Sequence, residues 1–158
     1  CFNQSMNFLA RKTLFRSKIF GWAIAYLDAI PINRDGMSLE GIKETLRRLK
    51  RGEHVLMFPE GTRSEDGTLG QMKTGVCALA RRGKAGILPM AVDGAYEAWP
   101  RNAKAPRSET VAVAIGDLIP VDAIADMSDE ELVAELQQRI AGCFAEAKEI
   151  REMYDGVR

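Results

Sequence analysis

Apolar residues in this chain fall in short runs separated by polar turns, and the spacing within the runs changes from strand-like to helical and back. Asn7–Ala10 ("NFLA") and Ala29–Ile32 ("AIPI") are short enough for buried strands, and the second ends at Asn33-Arg34. Between them, Thr13 to about Leu27 has the length and aromatic content of a buried or membrane-facing helix. After the turn at Arg34-Asp35-Gly36, Ser38 is a plausible N-cap, and Leu39, Ile42, Leu46 and Leu49 follow at helical spacing until Gly52 stops the helix.

"HVLMF" at His54–Phe58 reads as the next strand, and "GVCALARRG" as a short helix closed by Gly83. "GILPMAV" and "TVAVAIG" are two further buried-strand candidates. The stretch between them, "DGAYEAWPRNAKAPRS", is polar and proline-containing and reads as an irregular surface loop. Ser128 and Glu131 have capping-box spacing ahead of Leu132, Leu136, Ile140 and Phe144, which predicts a helix running to about Tyr154. Alternation of strands and helices predicts an α/β layer fold. No internal repeat, low-complexity tract or linker interrupts it, so residues 1–158 are expected to form a single domain.

Composition narrows the choice of partners. With 46% hydrophobic and 28% charged residues the chain is globular in character, and 158 residues suffice for a real core. Net charge is zero, so no nucleic acid or other polyelectrolyte partner is implied. The distribution is uneven: residues 1–51 hold ten Lys/Arg against four Asp/Glu, a net of +6. Residues 121–158 hold four against ten, a net of −6. The basic front suits either an anionic lipid or phosphorylated substrate, or ordinary solvated helix faces. Three widely spaced cysteines, Cys1, Cys77 and Cys143, give neither zinc-ligand spacing nor a disulfide framework. Cys77 and Cys143 sit in apolar helical patterns and are expected to be small core residues in a reducing, cytosol-facing protein. No run approaches the roughly 18 apolar residues of a spanning helix; "IFGWAIAYL" stops at Asp28.

The candidate chemistry lies in "FPEGTRSEDGTLGQMKTG", Phe58–Gly75. A loop leaving the end of an α/β strand is where ligands sit in such sheets. Its glycines permit close backbone approach, and Arg63 and Lys73 can neutralise a phosphate. Lys73-Thr74, opening a helix, would add the positive end of its dipole. The alternative is a surface turn rich in Gly, Ser and Asp. A nucleoside-triphosphate P-loop fits poorly, because Met72 stands before Lys73 where that motif requires glycine, and Glu60 places a carboxylate near the start.

Phe58-Pro59-Glu60-Gly61-Thr62-Arg63-Ser64 resembles the third sequence block of the glycerophospholipid acyltransferases, the 1-acylglycerol-3-phosphate acyltransferase family. Residues Phe8–Gly36 resemble the segment leading into the second block, where an arginine, here Arg34, ends the strand. Lys73-Thr74-Gly75, "GILPMAVDGAYEAWPR" with Pro89, and "VAIGDLIP" are similar to later family segments, so the resemblance covers about residues 8–120. It implies an α/β domain with a central mixed sheet flanked by helices, as in glycerol-3-phosphate acyltransferases. It implies transfer of a fatty acyl group from acyl-CoA or acyl-carrier protein to a lysophospholipid such as 1-acylglycerol 3-phosphate, in phospholipid biosynthesis, without a cofactor or metal.

In that reading Arg34, Arg63 and Lys73 carry the phosphate contacts, Gly61 lets the glycerol approach and Thr62 orients it. Glu60 either lies beside the acceptor or pairs with Arg63 to shape the loop. Pro89 is a structural part of the acyl-side wall. The family's general base is a histidine with an aspartate five positions later, in a first block upstream. Here the sole histidine, His54, has Pro59 five positions on, and is expected to be structural. Asn3-Gln4-Ser5 resembles the "His-Gln-Ser" that often begins the first block, but the aspartate position falls on Phe8. The expectation is that the catalytic pair belongs to sequence missing from this chain, which begins at Cys1, and that no residue present is catalytic. The alternative is a catalytically silent lipid- or phosphate-binding domain of the same fold. Arg16 and Lys18 ahead of Phe20, Trp22 and Tyr26 suit a headgroup interface, so peripheral attachment on the cytosolic side of a membrane is expected; burial of Phe20 and Trp22 in the core is the competing reading.

Overall fold

The computed structural model describes residues 6–11, 22, 29–32 and 39–156. It is an α/β structure made of two compact units, one of Cys1–Pro59 with Gly75–Ala85 and one of Glu60–Thr74 with Gly86–Arg158.

The first unit is built on three parallel strands, β1 (Met6–Arg11), β2 (Ala29–Ile32) and β3 (His54–Leu56), in the order β2-β1-β3. Phe8 sits opposite Ala29 on one side and Leu56 on the other. Parallel neighbours need a crossover rather than a hairpin. Helix α1 (Leu39–Lys50) lies between β2 and β3 in the chain and packs against both strands and against α2 (Gly75–Gly83). The predicted apolar stripe of α1 is rotated from its expected position. Gly41 and Thr45 are the buried residues, Ile42, Leu46 and Leu49 are half-buried, and Leu39 is exposed.

Both helix ends follow from backbone geometry. The Gly52 N–H donates to the Leu49 carbonyl and that of Glu53 to Arg48, with Gly52 at φ +77°, a left-handed stop that suits glycine. Helix α2 ends at Gly83, where its sequence pattern sets the end. Lys84 takes the left-handed conformation, at φ +49°, and Gly83 is still helical. The reason Gly83 is glycine lies elsewhere: a Cβ there would stand 2.7 Å from Leu49 Cδ1. Cys77 is fully buried on α2, as its apolar setting predicts.

A polar group also sits in this unit. Asn7 on β1 is buried and donates to the His54 carbonyl (3.0 Å) and to Glu53 Oε2 (3.1 Å), while its own oxygen accepts from Arg48 Nη1. Arg48 in turn pairs with Glu44 (2.9 Å) and Glu53 (3.1 Å). Every polar atom of the Asn7 side chain is thereby used, as burial demands.

The second unit pairs β4 (Met90–Asp93) with β5 (Ala112–Ile115) antiparallel, Ala91 opposite Ala114 and Asp93 opposite Ala112. The buried face of this ribbon is small, with Ala91, Ala112 and Ala114, and the long helix α5 (Asp129–Asp155) packs on both strands. Leu132, Leu136, Ile140, Cys143 and Ala147 are the buried positions of α5. The capping box at Ser128 and Glu131 is present with both of its bonds, 3.2 and 2.7 Å. β4 starts later than "GILPMAV" suggests, because Pro89 has no N–H to give a ladder. Buried Pro89 instead offers its carbonyl to the Gly116 N–H (2.9 Å) and the Cys143 thiol (3.8 Å). Burial pushes the Cys143 thiol up from its ordinary pKa.

Two short helices went unforeseen, α3 (Ala95–Ala98) within the predicted loop and α4 (Val121–Asp126) after Pro120. Both pairing modes expected of one mixed sheet are found, carried by separate sheets among the described residues. The predicted helix over Thr13–Leu27 lies outside the described residues except for Trp22, which is helical and 72% exposed.

Candidate functional site

The glycine-rich loop, Glu60–Thr74, belongs wholly to the second unit. Its fold is set by side chains that close back on the loop's own backbone. At the far end, Ser64 Oγ donates to the Thr68 carbonyl (2.8 Å) and accepts from the Gly67 N–H (2.9 Å). Asp66 Oδ1 accepts from the Thr68 N–H (2.9 Å) and hydroxyl (2.6 Å). The Thr68 hydroxyl, followed by the Thr68 N–H, holds the Asp66 carboxyl below its usual range. Gly67, at φ +85°, completes the turn, and a Cβ there would press within 3.3 Å of the Tyr96 ring. Arg101, beyond α3, pairs with Glu65 at 2.8 Å. Residues 64–68 are thus fastened to the segment around α3.

The near end is crossed twice. Half-buried Glu60 reaches over ten residues, and its Oε2 accepts the Gly70 N–H at 2.8 Å. A Cβ on Gly70 would lie 2.7 Å from that oxygen, so the approach requires glycine. Lys73 returns in the opposite sense: a Cβ on Gly61 would lie 2.9 Å from its Nζ and 3.3 Å from Cε. Gly61 itself has φ +71°, where side chains are strained. Met72, next to exposed Lys73, is buried at 6%.

Of the residues singled out in the sequence, Gly61, Thr62, Arg63 and Lys73 are exposed, and Glu60 is half-buried beside them. The loop brings Glu60, Gly61 and Lys73 together. Among the described residues Arg63 and Lys73 form no ion pair, which leaves two cations of the loop open to solvent. Among the described residues the Thr62 hydroxyl donates only to the Arg63 carbonyl, at 3.5 Å. Glu60 shapes the loop through the Gly70 amide, a partner the sequence reading did not name. Arg34 and Asn3-Gln4-Ser5 lie outside the described residues. His54 is the first residue of β3, exposed, with its carbonyl taking the Asn7 amide.

What sequence reasoning missed is the pairing of Glu60 with Gly70 and of Glu65 with Arg101, contacts 10 and 36 positions apart. The turn at Asp66-Gly67 does carry a local signal, the Asp-Gly dipeptide. Chemically, the near end sets the Lys73 ammonium over Gly61, with exposed Arg63 two residues further along the loop, cations of the kind that suit an anion. Among the described residues no group of histidines, cysteines or carboxylates is arranged to hold a metal ion.

Known proteins share this arrangement of sequence. The chain is 33% identical over 142 residues to a 1-acyl-sn-glycerol-3-phosphate acyltransferase of Pseudomonas aeruginosa, covering 87% of this chain and 53% of that protein. It is 34% identical over 125 residues to the Streptococcus pneumoniae protein of the same description, with 78% and 44% covered. A chloroplast relative from Arabidopsis thaliana is 33% identical over 99 residues, 61% of this chain and 28% of its own length. The chain therefore spans about half or less of the relatives it matches. Its fold matches the crystal structure of the 1-acyl-sn-glycerophosphate acyltransferase PlsC from Thermotoga maritima with a TM-score of 0.74. That match has 24% identity and covers 88% of this chain and 56% of the other. With residues 1–93 also matched by the family model described as Acyltransferase, the chain belongs to the acyltransferase family and is homologous to the 1-acyl-sn-glycerol-3-phosphate acyltransferases.

Proposed function

We propose that this chain forms the acceptor-binding part of an enzyme that moves a fatty acyl group from acyl-CoA or acyl-carrier protein to a lysophospholipid such as 1-acylglycerol 3-phosphate. The observation that carries the reading is the loop's near end, where the Lys73 ammonium lies over Gly61 and Arg63 stands unpaired among the described residues. A phosphate dianion needs several fixed cations or donors, and within this loop Arg63 and Lys73 supply two. Gly61 leaves room for the Lys73 side chain, and Thr62 orients the glycerol. Glu60 belongs to this binding group through its hold on the loop.

Attack of the acceptor hydroxyl on the thioester carbonyl needs a base to take the hydroxyl proton. His54 does not fit that task, since Pro59 stands where the oriented aspartate belongs. The chemistry then falls to a His/Asp pair of the full-length protein, and this chain supplies recognition. An acceptor with a fatty chain resides in a membrane, so the enzyme works as a peripheral protein at the cytosolic surface. The 72% exposure of Trp22 supports an interfacial rather than a core role for that ring.

A second reading is a silent lipid- or phosphate-binding domain of the same fold. An acyl-transfer assay on full-length protein, with a panel of lysophospholipids and acyl thioesters, separates the two. Transfer to a phosphate-bearing acceptor supports the enzyme; acceptor binding without transfer supports the silent domain.

A further inference from the structure

The two crossings of the loop's near end are mechanically one device. Glu60 and Gly61 are neighbours on the outgoing limb of the loop, and Gly70 and Lys73 are three residues apart on the returning limb. The Glu60–Gly70 bond, at 2.8 Å, therefore fixes the register in which Lys73 meets Gly61. Each contact rests on a glycine whose Cβ would collide with the side chain that crosses it, at 2.7 Å for Gly70 and 2.9 Å for Gly61. A carboxylate spent on a backbone N–H has one oxygen engaged and is half-buried, a poor arrangement for a freely aimed ligand group.

We propose that Glu60 is a positioning residue that acts through the Gly70 amide to hold the Lys73 ammonium over Gly61, and that Gly70 is its required partner. This inference rests on the acceptor-binding reading above. It assigns Glu60 no contact with the acceptor. The interaction needs an acceptor oxygen of the right reach, not a negative charge, and this separates a clasp from a ligand. Glutamine keeps such an oxygen; alanine does not. Alanine at Gly70 drives the carboxylate away while leaving Glu60 intact.

The test uses the full-length enzyme with Glu60→Gln, Glu60→Ala and Gly70→Ala. Steady-state kinetics with a lysophospholipid acceptor are combined with hydrogen exchange of the Gly70 amide, or of the whole 69–72 segment for the alanine variant. Glu60→Ala and Gly70→Ala are expected to raise the acceptor KM by about tenfold or more with a much smaller change in kcat, the size of losing one charge-assisted hydrogen bond at a binding site. Glu60→Gln is expected to restore most of that loss. Exchange should be slow in the wild type and in Glu60→Gln and fast in both alanine variants. A Glu60→Gln variant as impaired as Glu60→Ala, with its Gly70 amide still protected, would overturn the proposal and make the charge a direct ligand. Gly70 exchange that is equally fast in all four proteins would overturn the clasp itself. Exchange is read without substrate, so a full-length protein that transfers no acyl group refutes the functional reading while the clasp is still decided.

Discussion

The Lys73 side chain lies across the face of Gly61, close enough that a Cβ at Gly61 would fall 2.9 Å from Nζ and 3.4 Å from Cδ. Eleven residues of loop separate the two, and the closure brings a cation onto a backbone that already has positive φ.

Gly61→Ala should therefore act in two ways. The methyl group is strained at φ +71°, which costs on the order of 1 kcal/mol, and it displaces the ammonium. Denaturant unfolding is expected to show a loss of about that size, while the acceptor KM of the full-length enzyme rises more than the stability loss explains. Wild-type KM in a folded Gly61→Ala protein would show that Lys73's place over Gly61 has no part in binding.

Glu44 makes a pH-dependent contribution to the first unit. Hydrogen bonds from Arg47 and then Arg48 lower its pKa from 4.5 to about 2. Between those values the unfolded chain binds the proton and the native one does not, so stability falls as pH drops through that window. The full contribution is present above about pH 4.5, and for this partly exposed cluster we expect about 1 kcal/mol. Urea titrations of wild type and Glu44→Gln should differ at pH 7 and converge near pH 2. A difference that is constant with pH would assign it to packing instead.

Arg151 on α5 is the cation of buried Asp93: Nε donates to Asp93 Oδ2, and Nη2 reaches Glu97 at 3.5 Å. The Asp93 bond is the first cause that raises the Arg151 pKa. Arg151→Ala should cost about 2–4 kcal/mol, because it leaves a buried carboxylate without its partner. Adding Asp93→Ala should recover part of the loss. Purely additive effects in the unfolding free energies would show that the pair is not coupled.

Much of this architecture was legible where the signal is local. The capping box of Ser128 and Glu131 and the glycine stop at Gly52 each need only a few neighbouring residues, and both formed as read. The end of α2 at Gly83 is local in the same way, whereas the close approach of Leu49 to Gly83 comes from another helix, which no local pattern carries. The burial of Gly41 and Thr45 in place of the Leu39 end of the α1 stripe likewise follows from tertiary packing. At the site, the identities of Glu60, Gly61, Arg63 and Lys73 stood out through their motif. The bond from Glu60 to Gly70 did not, because a side chain reaching a backbone N–H ten residues away leaves no mark on composition or periodicity. The Glu65–Arg101 pair was hidden for the same reason.

The exposed ring of Trp22 gives the membrane proposal a handle. Flotation of full-length protein with liposomes should strengthen with anionic lipid and weaken with salt, as screening of basic residues requires. Trp22→Ala is expected to reduce binding severalfold by removing an interfacial anchor. Binding indifferent to both salt and Trp22 would place the contact elsewhere.

The most direct test of the central claim, that this loop holds the acceptor's phosphate, is the acceptor KM of full-length enzyme carrying Arg63→Ala. Loss of one charge-assisted contact at about 1.5–3 kcal/mol predicts a KM raised roughly ten- to a hundredfold, with kcat much less affected. An unchanged KM in a folded, active Arg63→Ala enzyme would contradict the account.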